Sequence, residues 1–556
     1  MINRRQFAIG TAALSVGAAT ALSGQGMVAQ AKPRIATPVP PTLPTFPPAT
    51  YHVADFGAMP SDGQDDTLTI QAAIDAAASN GGGTVRLDPG TYDLSIITHG
   101  TEREDRTSLR MRSGVRLMGA GQGRTVLRLA DSQGNYWAIF DSDRHAVTTD
   151  IGLSDFTLDQ NTTGNPITAA SDIYGDPIQP RYVARFYEGG RVLVERSTFT
   201  DLSSGNTLSF NPFNSDQPPS ITDVMVRSNR FTDVGGGTVD FDHSTIYTRG
   251  DRMAVIGNEF VSRHGAGTLN ARTAIEIHNS DQTITDNRVT GYAKAMNVTG
   301  YGLTNHRQLV ARNTMTDVGM GMYVWSQQRT VPMEPLRDVE IADNTITINV
   351  DGWNQSRVGV VSAGILGHPG NNTLMTDIWI HDNTVTYVND AITRDDRTKL
   401  YDSMAAGVGF WNYERFPVQN ITITDNEITN PLSAGVWTNT AIIGTSTIQG
   451  NVITNPGRNN RLDKVWPEPL TVPYQAWYRS GIALDVDASS LLGTRRAGKL
   501  TVKDNRVILT DTTIDVHAGV TSTNSWLRTA LAIGNSLTGS DAPLSDLGFG
   551  WRGSNV

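Results

Sequence analysis

Residues 284–289 read "ITDNRV", and the same arrangement returns as "VRSNRF" (226–231), "VIGNEF" (255–260), "VARNTM" (310–315), "IADNTI" (341–346), "IHDNTV" (380–385), "ITDNEI" (423–428), "IQGNVI" (448–453) and "VKDNRV" (502–507). Each has an apolar residue, a polar step, then asparagine, then a second apolar residue two positions on. Where no insertion intervenes, successive asparagines are 25 to 31 residues apart, the length of one coil of three short strands. Asparagine suits both left-handed turns and side-chain ladders, and an ordinary sandwich does not repeat such a turn at this period. The pattern predicts an all-β solenoid.

Aligning the strand that follows each asparagine turn extends the prediction. "NTLSFNP" (206–212), "GTVDFDH" (237–243), "RTAIEIH" (272–278), "KAMNVTG" (294–300), "MGMYVWS" (320–326), "AGILGHP" (363–369), "AGVGFWN" (406–412), "AGVWTNT" (434–440) and "SGIALDV" (480–486) fall into one register. One inward column holds Leu208, Val239, Ile275, Met296, Met322, Ile365, Val408, Val436 and Ile482, and a second holds Phe210, Phe241, Ile277, Val298, Val324, Phe410 and Leu484. The outward columns place Asp240 beside Glu276 and Asn297, then Tyr323 and Trp437, and Asp242 beside His278, then Trp325, His368 and Trp411. Stacked coils are about 4.8 Å apart, so the carboxylates of Asp240 and Glu276 crowd each other and one is pushed toward its protonated form.

Composition bounds the rest. The 556-residue chain is 38% hydrophobic and 18% charged, a balance that supports a large core. Its 54 glycines favour turns and short strands over long helices, and it has no cysteine, which excludes disulfides, thiolate metal sites and a cysteine nucleophile. "NRRQF" (3–7), a charge-free small-residue run and Ala-Gln-Ala read as a twin-arginine signal peptide over 1–31. The expected destination is the periplasm or the extracellular space. Loss of that segment moves the formal charge from −10 to −12, unfavourable for nucleic acid or anionic membranes. "KPRIATPVPPTLPTFPPAT" follows, so residues 32–49 are expected to be a proline-rich linker, with one catalytic domain over 50–556.

"YHVADFGAMPSDGQDDTLTIQAAIDAAASNGGGTVRLDPGTYDL" (51–94) with "GVRLMGAGQGRTVLRL" (114–129) resembles the opening of the pectate-lyase-like superfamily. The resemblance implies a right-handed parallel β-helix whose first coil is preceded by a short capping helix, with Asp65 and Asp66 at its start. Polygalacturonases, lyases, epimerases and phage tailspikes share that opening, so the reaction must be read from the site. The Asn-Thr-Asp, Gly-His-Gly and Arg-Ile-Lys order of polygalacturonases is absent, and "YGDPIQ" (174–179) stops short of the epimerase Asp-Pro-His.

Paired carboxylates point to glycoside hydrolysis of a polysaccharide or oligosaccharide without a cofactor: Glu276 or Asp240 as acid, Asp242 as base, His278 orienting it. Tyr323, Trp325, Trp411 and Trp437 are expected to stack on sugar, with Asn297, His368, Arg272 and Lys294 completing the binding surface and Arg249 at a neighbouring strand end. His243 and His264 are secondary candidates. The alternative is a lyase on a uronate-containing glycan, with Asp240, Asp242 and Glu276 holding calcium and Arg272, Lys294 or His278 taking the proton. A non-catalytic carbohydrate-binding or tailspike-like solenoid is the third reading.

Overall fold

The computed structural model describes residues 33, 35–166, 182–203, 205–212, 221–235, 244–262, 273–300, 303–326, 333–350, 362–370, 373–389, 405–411, 417–438, 440–458, 479–484, 498–522, 527–547 and 551–552. Residues 1–31, where the sequence leads one to expect a signal peptide, lie outside them. No helix among them is long and apolar enough to cross a membrane.

The chain winds into a right-handed parallel β-helix whose described strands form three sheets of 16, 14 and 15 strands. One coil shows the unit. Asp251–Ile256 lies in the first sheet, Glu259–Ser262 in the second and Thr273–His278 in the third, and Gln282–Thr285 returns to the first. Between the first two sheets stands the asparagine. The residue before it, Gly257 or Asp286 for example, takes the left-handed conformation (φ 64° and 61°), which explains the Asp, Gly or Ser at that place.

The asparagines themselves form a buried ladder from Asn229 to Asn535, one coil beyond the sequence repeats. Asn287 shows the pattern: its Oδ1 accepts from Asn258 N and Nδ2, both at 3.0 Å, while its own Nδ2 donates to Asn313 Oδ1 (3.0 Å) and Val255 O (2.8 Å). Every side-chain polar atom is used, as burial demands.

The inward columns stand in register as expected, with one exception. In the coil after Asn229, the third-sheet strand is Ser244–Arg249, so Ile246 and Thr248 occupy the places assigned to Val239 and Phe241. "STIYTR" alternates β-branched and aromatic residues, whereas the Asp-rich "GTVDFDH" is a poor strand former and lies outside the described residues. In the second sheet Phe199, Phe231 and Phe260 stack nearly parallel, with centroids 5.1 and 4.8 Å apart.

The helix Thr67–Ser79 buries Ile70, Ala73, Ile74 and Ala77 against the first coil. Its first amide is held by Asp65 rather than by the N-cap side chain: Asp65 Oδ1 accepts from Thr67 N at 3.0 Å, while Asp66 Oδ1 accepts from Met59 N at 3.0 Å.

Residues 35–49 are a strap, not a free linker. Val39 N, Thr42 N and Thr45 N donate to Asp281, Asp223 and Asp150 at 2.8, 2.9 and 3.3 Å, on every second strand of the first sheet. The match is metric: three residues of polyproline II advance about 9.3 Å, and two strand spacings about 9.6 Å. Each of those aspartates also grips an arginine of the next coil, Arg191, Arg252 or Arg307, through two hydrogen bonds.

Asn287→Ala orphans Asn258 N, its Nδ2 and Val255 O, and should cost roughly 2–4 kcal/mol in urea unfolding. Arg312→Ala removes only the exposed pair with Asp286 and should cost under about 1 kcal/mol. Equal effects would contradict the ladder's role.

Candidate functional site

The outer face of the third sheet carries the candidate site residues. Its strands place Tyr247, Glu276, Asn297 and Tyr323 in one column and Arg249, His278, Thr299, Trp325 and His368 in the next. Tyr247 and Arg249 therefore hold the positions the sequence reading gave to Asp240 and Asp242, because Ser244–Arg249 forms that strand. Asp240, Asp242, His243, His264 and Arg272 lie outside the described residues.

Glu276 and His278 are not on an open surface, being only 6% and 2% exposed. Ser244 Oγ donates to Glu276 Oε2 at 2.5 Å, and His278 Nε2 lies 3.2 Å from Oε1. On its other side, His278 Nδ1 is 2.6 Å from Thr299 Oγ1, whose proton goes to Ile277 O at 2.8 Å. Thr299 therefore accepts from His278, and a carboxylate accepts from the other ring nitrogen. A doubly protonated imidazolium satisfies this pattern. Burial alone would raise the Glu276 pKa. The hydrogen bond and charge of His278, the Ser244 hydroxyl and the charge of Lys294 outweigh it and hold the carboxyl ionised, below its ordinary range. Glu276 is thus an anion in a cationic setting rather than a poised acid. Both its oxygens are engaged, and Asp240 and Asp242, the other members of the expected calcium set, lie outside the described residues.

Two further groups face this pair. Lys294, 7% exposed, has its ammonium 5.1 Å from the Tyr323 ring centroid. Asn297, one strand from Glu276, is 8% exposed and its Oδ1 is buried without a hydrogen-bond partner, an acceptor left for a ligand hydroxyl.

Aromatic rings continue the face. Tyr323 Oη and His368 Nδ1 are hydrogen-bonded; Tyr323 and Trp325 lie near-parallel at 6.4 Å, and His368 and Trp411 are 4.5 Å apart. All four are partly exposed. Trp437 differs: it is 1% exposed, packed with Met320, Leu366 and Ala483, and so belongs to an apolar layer beneath Trp411 rather than to a sugar platform. Small residues at Gly409 and Ala483 on the flanking strands make room for it. Sequence reasoning missed Tyr247 and Thr299; the β-branched alternation of 244–249 was the available signal.

Comparison with known proteins bears on the fold and on the N-terminal part of the chain. The family described as rhamnogalacturonase A/epimerase, pectate lyase-like, matches residues 51–165. A tailspike mutant of E. coli bacteriophage HK620 in complex with pentasaccharide superposes with a TM-score of 0.65, covering 91% of this chain and 80% of that one at 17% identity. The N-terminal part of this parallel β-helix is similar to that family. Mannuronan C5-epimerase AlgE2 of Azotobacter vinelandii is 44% identical over 112 residues, and alginate lyase 7 of the same organism 45%. Those matches cover 20% of this chain and only 11% and 13% of the relatives. The tailspike likeness speaks to the fold alone.

Burial lowers the His368 pKa to about 4. Below its ordinary value of about 6.5 the unfolded chain takes up the proton first, so this residue's contribution is complete above pH 6.5 and is lost as the pH falls toward 4. His368→Gln should flatten the stability profile of the chain in that window by up to about 1.4 kcal/mol per pH unit. An unchanged slope in thermal melts would show that His368 is not buried neutral.

Proposed function

We propose that this chain acts on a uronate-containing polysaccharide by removing the proton next to the sugar carboxylate. The observation that carries the reading is the company Glu276 keeps. Along its column the neighbours are phenol and carboxamide, Tyr247 and Asn297, with His278 and Lys294 supplying positive charge. A paired-carboxylate hydrolase needs a second acid facing the first; a proton-abstracting enzyme needs cations to hold the substrate carboxylate and a phenol or imidazole to move the proton. The N-terminal likeness to mannuronan epimerases and an alginate lyase supports a polymer of that kind.

In this reading the His278 imidazolium and Lys294 bind the sugar carboxylate and stabilise the charge that develops on it. Asn297 Oδ1 accepts from a ring hydroxyl. Tyr323 exchanges the proton at carbon 5: its hydroxyl is hydrogen-bonded to His368, which burial keeps neutral, and the Lys294 ammonium lies beside its ring. Glu276 fixes the protonation and orientation of His278 without touching substrate. Loss of the bond to the oxygen on carbon 4 then gives chain cleavage by elimination, and return of a proton from the opposite face gives the epimer. Trp325 and Trp411 supply ring faces for adjoining sugars. The leader read at 1–31 would deliver the folded chain to a polymer outside the cytoplasm.

The test is turnover on polymannuronate, followed by the absorbance of unsaturated ends and by NMR of the sugar configuration. Tyr323→Phe should lower kcat by about 10²–10⁴-fold, the usual share of a proton-transfer group, with little change in melting temperature. The glycoside hydrolase reading rests on Asp240 and Asp242. Full activity in Tyr323→Phe, combined with loss of activity in Asp242→Asn and with saturated reducing ends, would favour it instead.

A further inference from the structure

Three strand steps before Glu276 on the same column stands Arg185, in the strand Tyr182–Phe186. It is 7% exposed, and its Nη1 donates to Ser209 Oγ at 2.6 Å. Its Nε is buried with no partner. The guanidinium carbon lies 4.8 Å from the centroid of the Tyr182 ring and 5.1 Å from that of Tyr187, and among the described residues no carboxylate is within ion-pair distance of it. Burying a guanidinium without a counter-charge is costly, and two ring faces offset only part of that cost. Nothing in the packing requires a cation there.

The neighbouring groups do not cancel the charge. Asp141, the residue in register with Arg185 on the preceding strand, is engaged by Arg110 at 3.3 Å, and burial pushes its carboxyl up to about 7. Tyr187 accepts from Trp137 Nε1 and burial raises its phenol, so it stays neutral. Beside them Asn211, which follows Phe210, the partner of Phe186, has its Oδ1 buried without a partner. A guanidinium lacking an anion and a carboxamide oxygen lacking a donor thus stand on adjacent strands, two positions apart in register. Tyr182, partly exposed, forms the rim.

We propose that Arg185, Ser209 and Asn211 form a second sugar-acid subsite, which takes the carboxylate and a hydroxyl of a uronate further along the polymer held at Glu276. Three strand spacings put it roughly 14 Å from the reacting unit. The identity of the ligand as a uronate rests on the function proposed above. The planar fork of arginine suits a carboxylate, and the flanking tyrosines suit a sugar ring.

The test is titration calorimetry with short and long oligomannuronates, and with long oligomers whose carboxyls have been reduced to alcohols. Arg185→Gln should weaken the long oligomer about tenfold, leave the short one and its turnover unchanged, and leave the reduced oligomer unchanged. Its melting temperature without ligand should equal or exceed that of the wild type, because an unpaired buried charge has gone. Arg185→Lys, which keeps the charge but lacks the fork, should show a smaller loss in the same direction and serves if the glutamine variant does not fold. Equal affinity of wild type and both variants for the long oligomer would overturn the subsite alone. A wild type that binds no oligomannuronate would overturn it together with the uronate reading.

Discussion

The ladder of buried asparagines is the interaction on which the other features depend. Each carboxamide accepts two N–H groups from the asparagine before it and donates to the one after it, as Asn287 does between Asn258 and Asn313. A slip of one residue in any coil would break those bonds and turn that coil's inward column outward. The ladder therefore fixes register in the first two sheets, and the third follows through the short turns that close each coil. Because the register is fixed, residues far apart in sequence form straight columns on the outer face: Arg185, Ser209, Tyr247, Glu276, Asn297 and Tyr323 stand one per coil. A linear polymer laid along that face meets them in order.

The first sheet uses the same repeat differently. Its left-handed aspartates, Asp150, Asp223 and Asp281, each hold an arginine of the following coil and an amide of the proline-rich strap. The strap thus covers the first sheet and leaves the outer face of the third free of it. Lengthened coils add to the asymmetry. Where the asparagine spacing grows to 39 and 43 residues, the extra chain falls between second- and third-sheet strands, as between Ile348 and Ile365 or between Tyr387 and Val408. Variation in chain length is concentrated in the connections that lead from the second sheet into the third.

The sequence disclosed the turns and most inward columns because both are local patterns repeated many times, so that one atypical coil does not obscure the rest. It misplaced the coil after Asn229. There the third-sheet strand begins later than in its neighbours, and an Asp-rich stretch with outward carboxylates was taken in place of "STIYTR". The register that set Asp240 beside Glu276 and Asp242 beside His278 is held instead by Tyr247 and Arg249, and both aspartates lie outside the described residues. Burial was the other hidden quantity. Outward-facing positions are normally exposed, yet Glu276, His278 and Trp437 are covered, and nothing in strand periodicity reveals which part of an outer face is overlaid. The strap escaped for a similar reason: proline content announces an extended chain, while its partners 181 and 242 residues away appear only when the coils are stacked.

The central claim is that the third sheet works through one ionised, cation-held carboxylate and proton transfer at carbon, rather than through a carboxylate pair and water. Mass spectrometry of polymannuronate products formed in oxygen-18 water and, separately, in deuterium oxide tests it directly. The account predicts no oxygen-18 at the new chain ends, with ends lighter by one water if the chain is cleaved, or deuterium at carbon 5 of intact chains if the outcome is epimerisation. Oxygen-18 at every new reducing end, with no deuterium on carbon, would be hydrolysis and would contradict it.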